Sequence, residues 1–345
     1  MSADRSHARG YALILAAVVV ALLALVLLAV ARVQGDVSPG LRALQRDVER
    51  EIATHSAVAR VGYLLLTEPI GPRSVVVGGP REPGAASSAG MRNARELRLD
   101  GRFYVIGGFE PGADAAFASV QDEAGLLSLN TGDSVALGAL LDQAGVANAR
   151  GLASALVDYI DEDDLAGPYG AEEDAYRRLH LPPPLNQPLT NRWRALDALG
   201  WRESVNEGRV GRFWANVNAA PRGASLNVNT APLPVLVAAL GNGRAARALV
   251  TRRGQAELRT REEIEGLTGV NTRADGVVLA TEVGAVFRVI VAFSGGRRAY
   301  ESQLVLAEPG AGRPVYWREG RLAAVSYGRD QFEAAESLPE HARTP

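Results

Sequence analysis

The uncharged run from Tyr11 to Ala31, built mostly of Ala, Val and Leu and closed by Arg32, limits what this chain can become more than any other feature. As a helix rising about 1.5 Å per residue it is roughly 31 Å long, enough to cross the hydrocarbon core of a bilayer. No second run of this kind follows, which disfavours a multi-pass membrane protein and predicts a single anchor. The residues before it carry Arg5, His7 and Arg9 against Asp4. The positive-inside bias therefore keeps the N-terminus in the cytoplasm and exports everything after Ala31. A cleaved secretory signal competes with the anchor, because Ala29-Val30-Ala31 has a small-x-small pattern, although the apolar region of such a signal is usually only about 7–15 residues.

The rest reads as globular: 345 residues at 47% hydrophobic and 22% charged. There is no Cys, which removes a disulfide framework, a thiolate zinc site and a Cys nucleophile together. The net charge is -2 and every one of the 37 basic residues is Arg. Such a balance is not the footprint of a dedicated nucleic-acid binder.

A third possibility for the N-terminus comes from Arg9-Gly10-Tyr11-Ala12-Leu13, where a short basic leader ends in Gly and the apolar helix begins at an aromatic residue. This resembles a type IV prepilin leader. The resemblance implies that prepilin peptidase cuts after Gly10 and methylates Tyr11. It also implies a Glu at the fifth mature position, but that position is Leu15. A carboxylate inside hydrocarbon needs a partner, and a subunit with nothing above it has none. Leu15 therefore suggests the topmost subunit of a stack, though a plain signal anchor would carry Leu there too.

Beyond the run, Gly35-Asp36-Val37 predicts a loosened helix, and Ser38-Pro39 predicts the cap and first turn of a second one reaching about Leu66. Leu41, Leu44, Val48 and Ile52 give it an apolar stripe that a sheet should cover. Strands are expected over 74–77 and 286–293, and a hairpin over 97–106 turning at Asp100-Gly101, with a turn over 294–297, a return strand over 298–306 and a last strand over 314–318. Between about 130 and 270 the pattern is helical. Leu129-Asn130-Thr131 and Val228-Asn229-Thr230 each lead into two short helices, a near-repeat unless it is chance among Ala- and Leu-rich segments. An insert splitting one α+β domain is the expected fold class.

The densest polar constellation is Asp158, Asp161, Glu162, Asp163 and Asp164, followed after a Gly/Pro turn by Glu172, Glu173 and Asp174. So many carboxylates repel one another without a cation, and the oxygen-rich set suits calcium, although its spacing is not that of an EF-hand. A solvated acidic loop and a carboxylate pair for hydrolysis are the competing readings. A second signal, Leu226 to Pro232 followed by Gly241-Asn242-Gly243 with Arg244, Arg247, Arg252 and Arg253, is similar to helix-hairpin-helix modules that bind DNA phosphate. It supports the alternative of a membrane-anchored DNA-binding or uptake protein, against a plain packed helix pair. The His residues, 7, 55, 180 and 341, are scattered, and no nucleophile elbow or P-loop is present. No catalytic residues are assigned, and an enzyme is not expected.

Taken in order, Arg9 to Leu13, the non-acidic Leu15, Ala155 to Asp163, Gly170-Ala171-Glu172 and Leu226 to Pro232 resemble the minor pseudopilin K family of type II secretion. Tyr159 stands where that family usually has Trp, and Ala175 where it has an aromatic. The resemblance implies a leader over 1–10, a transmembrane helix over 11–31 and a pilin-like domain over 32–125 and 281–325, a long helix packed on an antiparallel sheet. It also implies an all-α insert over 126–280 with two helix-hairpin-helix-like or SAM-like repeats, and a tail over 326–345. Structural calcium is implied, with Asp161, Asp163, Glu172 and Asp174 as ligands. So are an inner-membrane anchor, a periplasmic body and a complex with minor pseudopilins I and J that caps or nucleates the pseudopilus.

Overall fold

A computed structural model describes residues 5–78, 95–106, 115–131, 133–205, 207–270, 277–294, 299–306, 316–323, 332 and 335–339, with side chains omitted at 5–15, 29–39, 42, 207–209 and 316–323. The chain forms two compact units, Met1–His55 and Ser56–Pro345. Helix α1 runs unbroken over Arg5–Thr67. The expected break at Gly35-Asp36-Val37, with a fresh start at Ser38-Pro39, is thus corrected. Proline removes its own N–H and crowds one turn, a cost of about 3 kcal/mol, and the helical backbone continues on both sides of it. The stripe expected to lie under a sheet is corrected as well: Leu41, Leu44, Val48 and Ile52 are exposed. The buried face of the helix lies further on, at Ala57, Val58, Val61, Leu64 and Leu65. Among the described residues no helix is long and apolar enough to cross a membrane. The run over 11–31 has described side chains only at 16–28, all of them exposed.

Strands β1 (Ser74–Val77) and β2 (Arg95–Arg98) pair antiparallel, while β3 (Asp100–Val105) pairs with β4 (Ala116–Asp122). The hairpin expected at Asp100-Gly101 therefore does not form. Those two residues lie inside β3, where the register shifts between Asp100 and Phe103 and Gly101 takes φ +79°. Asp-Gly tolerates the left-handed backbone of a bulge as well as that of a turn. Here it bends a strand between two sheets.

A helical stretch follows: β5 (Leu127–Ser128), α2 (Ser134–Gln143), α3 (Ala149–Ile160), α4 (Glu173–Arg178), α5 (Trp201–Ser204), α6 (Glu207–Ala215), β6 (Val217–Asn218), β7 (Leu226–Asn227), α7 (Leu233–Leu240), α8 (Gly243–Gln255), α9 (Arg261–Thr268) and β8 (Leu279–Ala280). Its core gathers Leu137, Leu156, Trp201, Phe213, Leu236 and Leu249. Trp201 Nε1 and Trp214 Nε1 donate to Leu152 O and Val205 O, each at 2.8 Å, so the indole donors are satisfied inside the core. The two Asn-Thr motifs make matching bonds. Asn130 exchanges both amide bonds with the backbone of Leu189 (2.7 and 3.0 Å) and donates to Ala220 O; Asn229 does the same with Leu258 (2.9 and 2.8 Å) and Thr281 O. Neither caps a helix, since the N-cap of α2 is Asp133 and that of α7 is Pro232.

Chain order resumes with β9 (Val286–Phe293), β10 (Ala299–Val305), β11 (Tyr316–Ala323) and β12 (Glu336–Ser337). Among the described residues they complete a six-stranded sheet of order β11-β10-β9-β4-β3-β12, antiparallel except for β12 on β3. β4 and β9 are neighbours, with Val120 opposite Val289, so the helical stretch leaves and re-enters the sheet at adjacent strands. The fold mixes helix and sheet within one compact unit.

Buried polar bonds join the two parts. Asp122, fully buried at the end of β4, accepts from Asn227 Nδ2 (3.0 Å), Thr230 Oγ1 (2.8 Å), Ala124 N (3.0 Å) and Gly284 N (3.1 Å). Arg288 of β9 is paired with Glu123 and donates to Val217 O (2.7 Å), and Arg192 reaches Glu301 of β10 at 2.6 Å.

Candidate metal centre

Helix α3 presents Leu152, Ala153, Leu156, Tyr159 and Ile160 to the core, and its last turn also buries Asp158. That carboxylate organises the loop that follows. Gly167 N donates to Asp158 Oδ2 at 3.0 Å, and Gly170 N donates to Gly167 O at 3.1 Å, which folds the loop back over the helix end. Gly170 is required by space: a Cβ there would lie 1.8 Å from Asp158 Oδ2. The returning chain reaches Glu172, extended at φ -102° as the N-cap of α4. Tyr159 and Tyr176 stack at 6.1 Å, and Tyr176 Oη accepts from Leu199 N, holding α3 against α4. Burial pushes the Tyr176 phenol up to about 12.

This loop brings Asp158, Asp161 and Glu172 together, with one carboxylate oxygen of each within 4.8 Å of the others. Asp158 and Glu172 are 4% and 7% exposed. Asp161 Oδ1 and both Glu172 oxygens are buried without a hydrogen-bond partner. Burial, reinforced by Asp158, Asp161, Asp164 and Asp163, pushes the Glu172 carboxyl up to about 7. Asp161 is raised by burial and then by the charges of Asp163 and Asp158, and Asp158 by burial against its bonds to the Gly167 and Ala171 amides. Acceptors crowded together with no donor among them are what a hard oxygen-binding cation satisfies. The residues fit calcium on that count.

Of the four ligands expected from the sequence, Asp161 and Glu172 belong to this cluster and two do not. Asp163 Oδ1 accepts from Leu165 N at 2.9 Å, and Asp174 is exposed and paired with Arg177 at 2.7 Å. Asp158, part of the acidic constellation but not among the expected ligands, stands in the centre. The signal for it was available: it lies three residues before Asp161, one helical turn away on the same face. Gly10, Tyr11 and Leu15 fall on the α1 backbone, and their side chains lie outside the described residues.

The hairpin singled out as a phosphate site is occupied by its own cap. Asn242 Oδ1 accepts from Arg244 N (3.0 Å) and Ala245 N (3.2 Å), the amides that would face an anion. Arg253 is buried on Val228 O and Ala231 O, and Arg252 faces Glu263 at 3.6 Å.

Residues 119–204, from within β4 through the carboxylate loop to α5, match the family model for Type II secretion system (T2SS), protein K. No curated protein sequence matches the chain. Among solved structures, the fold is similar to a chain of the GspK-GspI-GspJ complex from the enterotoxigenic Escherichia coli Type 2 Secretion System, at 16% identity and TM-score 0.46, covering 81% of this chain and 98% of that one.

Proposed function

We propose that this chain, whose residues 119–204 match the family model for type II secretion system protein K, is a minor pseudopilin at the tip of the pseudopilus. In this reading prepilin peptidase removes residues 1–10 after Gly10 and methylates Tyr11. The helix over 11–31 anchors the protein in the inner membrane, and the body stands in the periplasm as a pilin-like domain carrying the helical insert. It works by assembly with minor pseudopilins I and J, capping or nucleating the pseudopilus, and catalyses no reaction. The observation that carries the reading is the family match, which falls on the segment bearing the carboxylate loop. The exposed stripe Leu41, Leu44, Val48 and Ile52 supports it, since a long helix with an uncovered apolar face suits lateral packing against partner helices. Calcium held by Asp158, Asp161 and Glu172 serves as a structural staple between α3 and α4.

The test is processing. Mass spectrometry of the cellular protein should find a methylated N-terminus at Tyr11, and Gly10→Val should leave the leader attached and stop exoprotein export. Export that persists with an uncleaved Gly10→Val chain would remove the reading.

A further inference from the structure

A fourth buried oxygen without a donor belongs to a residue that lies outside the acidic constellation in sequence. Asn186, in the proline-rich loop beyond α4, has a left-handed backbone at φ +48°. Its N–H donates to Tyr159 O at 3.1 Å, beside that of Leu185 at 2.9 Å. Its Nδ2 donates to Asp164 Oδ1 at 3.3 Å. These two bonds reach residues on either side of Asp161. The amide orientation follows, because only the NH2 group can face a carboxylate. The Oδ1 that remains is buried and has no hydrogen-bond partner, the same condition as Asp161 Oδ1 and Glu172 Oε1 and Oε2.

We propose that the Asn186 side-chain carbonyl is a ligand of the same cation, so that the metal ties the proline-rich loop to the ends of α3 and α4. This rests on the cation reading of the carboxylate site. Once Glu172 is ionised, the four buried acceptors cannot satisfy one another, since lone pairs repel and none of them carries a hydrogen. Calcium takes about 6–8 oxygens and accepts amide carbonyls among them, whereas Asp158, Asp161 and Glu172 bring together one oxygen each. A neutral carbonyl adds a ligand without adding to the mutual repulsion of the three carboxylates gathered there. The strained backbone at Asn186 then has a reason: left-handed geometry, which Asn tolerates, brings its amide between Tyr159 and Asp164.

The test uses the full chain in detergent, with calcium titrated calorimetrically and terbium as a luminescent substitute whose lifetime in H2O and D2O counts bound water. Asn186→Gly removes the carbonyl while keeping the positive φ, and Asn186→Asp keeps an oxygen. Asn186→Gly should weaken calcium about tenfold and admit about one more water to the ion, whereas Asn186→Asp should bind within about threefold of the unmodified chain or more tightly. Unchanged affinity and water count in Asn186→Gly, beside an unmodified chain that binds calcium, would overturn the ligand assignment alone. An unmodified chain that binds no calcium overturns the cation reading and this inference together.

Discussion

Glu172 is the residue on which the chemistry of the site turns. Its carboxyl, pushed up to about 7 by burial and neighbouring acids, has an ordinary value near 4.3. Between those values the metal-free folded chain holds a proton that the unfolded chain has released. Metal-free stability therefore falls as pH rises through this window, and the proposed calcium, which must displace the proton, should bind more tightly across the same range. The Tm in EGTA should drop from pH 5 to pH 8, and the gain in Tm from calcium should grow. Glu172→Gln should raise the metal-free Tm at pH 8 and shrink the calcium effect. A metal-free Tm that climbs with pH would contradict the assignment. At this scale the sequence was partly legible. The acids could be seen, but choosing Asp158 over Asp163 and Asp174 depended on Gly167 N and Gly170 folding the loop onto one carboxylate rather than another.

At the scale of elements, α1 makes the clearest prediction. Val48 and Ile52 are 54% and 61% exposed, so Val48→Asp with Ile52→Asp should leave thermal stability within about 0.5 kcal/mol per site. If the proposed assembly uses this stripe, the same pair of changes should abolish co-purification with pseudopilins I and J. Retained co-purification would show that the stripe is not their contact. Strand β9 and the short β1 were readable because apolar runs between turn residues have few alternatives. The hairpin at Asp100-Gly101 was not, because the same dipeptide serves a turn or a bulge, and the choice depends on which strands are near. Pro39 misled in the same way: local preference marks a helix start, while a helix already formed on both sides accepts the proline.

For the molecule as a whole, the helical stretch and the sheet are joined by buried charge as well as by chain connectivity. Arg288 is 2% exposed and serves Glu123 from the sheet side. Arg288→Ala would leave Glu123 buried with its arginine partner gone, at a cost of about 3–5 kcal/mol. The denaturation midpoint, followed in a Trp317→Phe background so that tryptophan fluorescence samples Trp193, Trp201 and Trp214 of the helical stretch, should fall together for that signal and for far-ultraviolet circular dichroism, which samples the sheet as well. Two separated transitions would show the parts to be independent. The amino-acid order alone determined the apolar run, the acidic constellation and the alternation of helical and strand patterns, because these depend on neighbours along the chain. The pairing of β4 with β9, the two asparagine clamps and the meeting of Asp158, Asp161 and Glu172 were decided only by the tertiary structure. Each depends on groups distant in sequence whose burial, once they meet, leaves a single way to satisfy their polar atoms.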